Sequence, residues 1–252
     1  MPLLFTLIFV LAGLLTGCTS SSKKAKDEER AHLHLQIGTQ NLLQGNFPQA
    51  LRELLTAERL NPKEPTIQNN LGLAYLVRER YDDAEKHFLR ALELKKDYTD
   101  ARNNLGRLYI DVGLLKKAIQ ELEIAAADLT YEEPEKSWAN LGQAYFTDKQ
   151  YAKAKNALQN SLKNRRGSCY TMNFYGRTLF ELKEYKPAAE SLDQAVKLCQ
   201  KSEFAEPHFY SAMSFYKLGN LEQARARFVE VKNLYPKAVY AQKADEMLEL
   251  MQ

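Results

Sequence analysis

Apolar residues recur at three- and four-residue steps along most of this chain, from about residue 31 to the C-terminus. That period belongs to amphipathic helices, not to strands. The stripes come in pairs, and Gly45-Asn46, Gly113 and Gly219-Asn220 punctuate them as turns. A longer period lies over the short one. Gly38, Gly72, Gly106, Gly142 and Gly176 follow one another at 34, 34, 36 and 34 residues. A helical glycine costs about 1 kcal/mol relative to alanine, so repeating it at one phase implies one repeated packing need. Each glycine has an apolar residue before it and an alanine twelve after it: Ala50, Ala84, Ala118, Ala154 and Ala188. A sixth frame puts Ala212 in the glycine's place, followed by Ala224 and Phe228.

The fourth frame reads Trp138-x2-Leu141-Gly142-x2-Tyr145, then Ala154-x3-Leu158. It matches the tetratricopeptide pattern, one helical hairpin per 34 residues. A hairpin alone leaves an apolar face exposed, and stacking covers it. The sequence therefore predicts an all-α chain, a right-handed superhelical solenoid of six hairpins. They fall at about 31–64, 65–98, 99–134, 135–168, 169–204 and 205–238, with 239–252 as a capping helix. The 36-residue intervals lengthen two inter-repeat turns, at Leu129–Pro134 and near Ser202–Pro207.

The front end has a different character. Residues 3–15 are almost wholly apolar and end in Leu15-Thr16-Gly17-Cys18. The run is short of the roughly twenty residues of a membrane span and suits an export signal. Small residues before a cysteine resemble the bacterial lipoprotein signal. The resemblance implies that 1–17 is removed and that Cys18 is fatty-acylated; an ordinary cleaved signal and a short anchor are the alternatives. Residues 18–30 are small and charged, read as a polar tether. Thr19 follows the cysteine where an aspartate would favour inner-membrane retention. The expected location is the periplasmic face of the outer membrane.

Charge narrows the partner. The chain has 35 basic and 32 acidic side chains, well mixed, for a net charge of +3. No basic block with interleaved aromatics appears, which disfavours nucleic acid. His32, His34, His87 and His208 fall in no metal-binding or catalytic spacing. No phosphate loop or nucleophile elbow is present. The expectation is a non-enzyme with no cofactor and no small-molecule substrate. Cys169 and Cys199 fall at the start of the first helix and the end of the second in the fifth hairpin. Those ends are neighbours in an antiparallel pair. An oxidising compartment would join them; two separate thiols are the alternative.

The concave face of such a solenoid is lined by first helices. The frame places on it Leu42; Asn69, Asn70, Leu73 and Leu76; Asn103, Asn104 and Arg107; Asn140, Gln143 and Phe146; Asn173, Arg177 and Phe180; and Phe209, Met213 and Tyr216. Asparagines through the middle would hydrogen-bond a peptide backbone, and the apolar groups would anchor its side chains.

A lipoprotein signal, a short tether and six such repeats resemble the type IV pilus biogenesis lipoproteins, the PilF/PilW pilotins, with the related motility lipoprotein Tgl. The junction Ala127-Asp128-x2-Tyr131-x2-Pro134-Glu135-x4-Asn140-Leu141-Gly142 carries the resemblance most specifically. It implies an outer-membrane pilotin that binds secretin subunits and promotes their assembly. An NlpI-like adaptor for cell-wall hydrolases and a BamD-like barrel-assembly subunit are the alternatives.

Overall fold

The computed structural model describes residues 3–164, 168–200 and 204–251, with side chains from Lys23 onward apart from that of Asn164. Thirteen helices and no strand appear among the described residues. They are α1 (Leu3–Leu43), α2 (Phe47–Leu60), α3 (Pro65–Leu76), α4 (Tyr81–Leu94), α5 (Thr99–Asp111), α6 (Leu115–Ala127) and α7 (Pro134–Thr147). Then follow α8 (Tyr151–Asn164), α9 (Cys169–Glu181), α10 (Tyr185–Leu198), α11 (Glu206–Lys217), α12 (Leu221–Leu234) and α13 (Val239–Leu250). The chain divides into two compact units, Met1–Leu108 and Tyr109–Gln252, with α5 spanning the division.

In the first unit α1 pairs with α2 and α3 with α4, and α3 lies against both α1 and α2. In the second, α7 pairs with α8, α9 with α10 and α11 with α12, and α13 packs on α12 and α11. There the first helices of successive hairpins also touch, α7 to α9 and α9 to α11.

The glycine frame has a concrete cause. A Cβ on Gly72 would sit 2.5 Å from the Phe88 ring, and one on Gly142 would sit 2.5 Å from Leu158. The second helix presses a large side chain into the notch, always four residues after the frame's alanine. Leu54, Phe88, Leu122, Leu158, Leu192 and Phe228 fill this position, none more than 1% exposed. Emptying one by truncation to alanine costs about 3–5 kcal/mol.

Each hairpin turn places a left-handed residue seven positions after the frame's glycine or alanine. Gly45, Gly113 and Gly219 have φ of 75°, 76° and 77° there. Glu79, Lys149 and Lys183 hold the same position at 59°, 60° and 63°. Only the glycine versions carry a sequence signal.

Residues 18–30, read as a polar tether, are helical: they lie within α1, which runs on into the first hairpin. Their composition bars burial, and Lys23–Lys26 and Glu28–Arg30 are exposed. It does not bar helix, because Lys, Glu, Arg and Ala are good helix formers. Lys24–Glu28 and Arg30–Asp27 pair across one turn, each at 3.7 Å. The side chain of Cys18 lies outside the described residues. No described helix is long and apolar enough to cross a membrane.

Candidate functional site: an aromatic row on the first helices

Asn69, Asn70, Asn103 and Asn173 do not present themselves to a partner. Asn70 Nδ2 donates to Thr39 Oγ1 at 2.7 Å, and Asn104 Nδ2 donates to Asn69 Oδ1 at 2.9 Å. Asn69 Nδ2 in turn reaches Asn70 Oδ1 at 3.3 Å. The ladder therefore stitches the first helices α1, α3 and α5 to one another within the first unit. Asn69, Asn70, Asn103 and Asn173 are all buried, as are the apolar Leu76 and Phe209. These six build the face instead of offering it. The physical reason is that a polar group between packed helices must be satisfied there, and the neighbouring repeat supplies the nearest partner.

Leu42, Leu73, Asn104, Asn140, Gln143, Phe146, Arg177, Phe180, Met213 and Tyr216 keep partial exposure, and Arg107 is exposed. Of these, Phe146, Arg177 and Phe180 belong to an aromatic row in the second unit, two groups of rings that Arg177 bridges. Phe146 of α7 meets Phe174 of α9 edge-on, centroids 5.4 Å apart. Phe180 of α9 meets Tyr210 of α11 at 5.5 Å, and Tyr210 meets Tyr240 of α13 at 6.3 Å. Tyr151, Tyr170 and Tyr185 extend the row through Phe146, Phe174 and Phe180 respectively.

Arg177 sits at the centre. Its guanidinium lies 4.5 Å from the Phe146 centroid, 4.9 Å from Tyr210 and 5.4 Å from Phe174. Each such stack contributes about 0.5–2 kcal/mol, more as it is desolvated. The counter-charge is Glu206, at the start of α11. Its Oε2 accepts from Arg177 Nη1 at 3.1 Å and from Asn173 Nδ2 at 2.7 Å, while the Tyr240 hydroxyl donates to Oε1. One carboxylate thus ties α9, α11 and α13 together. Burial and the adjacent Glu206 push the Tyr240 hydroxyl's pKa upward, so it remains a donor. Burial also raises Tyr151, which Glu181 reinforces. The row can take apolar side chains against its ring faces and hydrogen bonds from its tyrosines. Among the described residues, no group of three or more His, Cys, Asp or Glu side chains is placed to hold a metal ion.

Cys169 and Cys199 are joined as a disulfide, with Cα atoms 5.2 Å apart. The bridge closes the open end of the α9–α10 hairpin, and Tyr170 next to it packs at a tilt against Phe174, centroids 4.7 Å apart. The anchor of the hairpin is thereby one residue from the row. Sequence reasoning placed Phe146, Arg177 and Phe180 here but missed Glu206 and Tyr240. The signal was available: these two occupy one frame position, 34 residues apart.

Profiles of the tetratricopeptide repeat match residues 41–99, 78–130, 135–167 and 208–238. The type IV pilus assembly protein PilF of Pseudomonas aeruginosa is 27% identical over 194 residues, covering 74% of this chain and 77% of that protein. The two are homologous. A lipoprotein NlpI homolog of Haemophilus influenzae is 26% identical over 211 residues, covering 81% of this chain and 65% of its own length. Among solved structures, that of Pseudomonas aeruginosa PilF superposes with a TM-score of 0.79 at 22% identity, over 88% of this chain and 99% of that one. PilW, described as a widely conserved type IV pilus biogenesis factor, gives 0.76 at 19%, over 84% and 97%. These superpositions establish the fold: an all-α tetratricopeptide solenoid.

Proposed function

The chain belongs to the tetratricopeptide-repeat proteins, and from that premise we propose that it is a scaffold of type IV pilus assembly. In this reading it is a pilotin, a lipoprotein that grips secretin subunits and promotes their assembly at the outer membrane. The homology to PilF, which runs through most of both chains, carries the proposal. Cys18 supplies the fatty-acyl attachment on the periplasmic face, where more than one acyl chain gives a firm hold. The aromatic row around Arg177 supplies the grip: ring faces for side-chain anchors, already fixed in place by Glu206. A preorganised face loses little entropy on binding. The work is binding, with no reaction assigned.

Replacing Cys18 with alanine tests the anchoring step. Secretin multimers should fall or become misplaced in envelope fractions; unchanged multimers in the correct membrane would refute it. The similarity to the NlpI homolog favours one second reading, an adaptor for cell-wall hydrolases. Crosslinking in cells separates the two, because the adaptor would return hydrolases and no secretin.

A further inference from the structure

The C-terminal helix α13 packs on α12 and α11. A chain of polar contacts nevertheless runs from it to Arg177 on α9. The Tyr240 hydroxyl donates to Glu206 Oε1, and Glu206 Oε2 accepts from Arg177 Nη1 at 3.1 Å and from Asn173 Nδ2 at 2.7 Å. The rest of the hold on the guanidinium is weak in direction. Its Nε is buried with no hydrogen-bond partner among the described residues. The rings of Phe146, Tyr210 and Phe174, at 4.5, 4.9 and 5.4 Å, attract the charge across their faces without fixing its twist. The contact with Glu206 therefore sets that twist.

A glutamate carboxylate turns easily about its last torsion, whose wells are broad. Turning Glu206 would carry Oε2 away from both Arg177 and Asn173. A donor seated on Oε1 resists the rotation. The Tyr240 hydroxyl is such a donor, and its ring is itself packed, 5.1 Å from Phe209 and 6.3 Å from Tyr210 between centroids. We propose that Tyr240 is a positioning residue of the aromatic row: through Glu206 it orients the Arg177 guanidinium, so that α13 shapes the binding face as well as capping the stack. The effect belongs to the hydroxyl, because a phenylalanine would keep the ring contacts.

The test compares the full chain with its Tyr240→Phe variant in detergent micelles, below the melting temperature of both. One arm follows the Arg177 Nε–H proton by NMR, assigned by its loss in Arg177→Lys. Ring currents displace a proton held over aromatic faces, so this signal reports the guanidinium's orientation. Tyr240→Phe should move it toward the position of a solvent-exposed arginine. Tyr235→Phe, which removes a hydroxyl 3.3 Å from His208 instead, should leave it in place. The other arm rests on the reading of the row as the secretin grip, and measures affinity for the secretin's purified periplasmic domains. Tyr240→Phe should weaken that affinity at least about threefold, a coupling of the size that side chains in one network show, and should add nothing in the Arg177→Met background. A purely structural Tyr240 would lower the melting temperature alone. Should Tyr240→Phe melt too early to be read, 4-aminophenylalanine in place of Tyr240, a weaker donor, must shift the signal partway. An unmoved Arg177 signal, an unchanged affinity, or a loss undiminished in the Arg177→Met background would each overturn the proposal. Failure of the parent chain to bind those domains would refute the secretin reading instead, and the Arg177 signal would then decide the positioning role by itself.

Discussion

Lys183 stands where three other hairpins have glycine, and replacing it with glycine should stabilise the protein. Its φ is 63°, in the left-handed region, and its amide still closes the turn onto Phe180 O at 2.9 Å. Gly113 makes the same turn, from its amide to Ile110 O at 3.0 Å, with φ at 76°. The two backbones are therefore interchangeable. A left-handed non-glycine residue costs about 1–2 kcal/mol. Glycine removes that cost but loses about 0.5–1 kcal/mol through the freedom of the unfolded chain. The net expectation for Lys183→Gly is a gain of about 0.5–1 kcal/mol, or about 1–4 °C in midpoint for a chain of this size. Lys149→Gly should do the same. The reciprocal Gly113→Lys should lose a similar amount, with thermal melting followed by circular dichroism as the readout. A destabilised Lys183→Gly together with a neutral Gly113→Lys would refute the reasoning, since the turn position would then carry no left-handed cost.

The remaining expectations concern the second unit and the histidines. Glu206→Ala leaves Arg177 without its counter-charge at a site where the two side chains are 13% and 17% exposed, and should cost about 3–5 kcal/mol in urea unfolding. Tyr240→Phe, which removes one hydrogen bond to the same carboxylate, should cost about 1–3 kcal/mol. Loss of the Cys169–Cys199 bridge, a separation of 30 residues, should cost about 3–4 kcal/mol by loop-closure entropy, measured as Cys169→Ser, Cys199→Ser against the oxidised parent. Burial holds the His208 imidazole below its ordinary 6.5, although Glu230 pulls the other way; burial lowers His87 likewise against Glu58. Folding therefore favours the neutral rings. Their contribution is present above pH 6.5 and is lost as pH falls from there through the folded-state values. His87→Gln with His208→Gln should flatten the melting temperature across that window; an unchanged slope would exclude these two rings as its source.

The repeat frame was legible because it rests on volume. A glycine facing Phe88 or Leu158 and an alanine one turn before that side chain are residue choices that packing forces, so they recur at fixed phase. The turns were half legible: Gly45, Gly113 and Gly219 announce a left-handed backbone, whereas Glu79, Lys149 and Lys183 tolerate it unannounced. The asparagines showed polar chemistry on the first helices without showing its destination. Asn69 bonds to Asn104 one repeat later, and only the approach of two helices decides that over solvent or a partner. Glu206 was hidden for a related reason. An acidic residue at a helix start reads as surface until the stacking of α9 against α11 puts Arg177 beside it. Residues 18–30 were legible as a polar segment without a core, but their backbone was not, because low apolar content says nothing for or against a charged helix extended from a docked one.

The scaffold account is tested most directly by where a crosslink forms. A photo-crosslinking amino acid placed at Phe180 in living cells should capture secretin, while the same group at the exposed Val229 of α12 should not. Capture of secretin from Val229 but not from Phe180, or of cell-wall hydrolases from Phe180 in place of secretin, would contradict it.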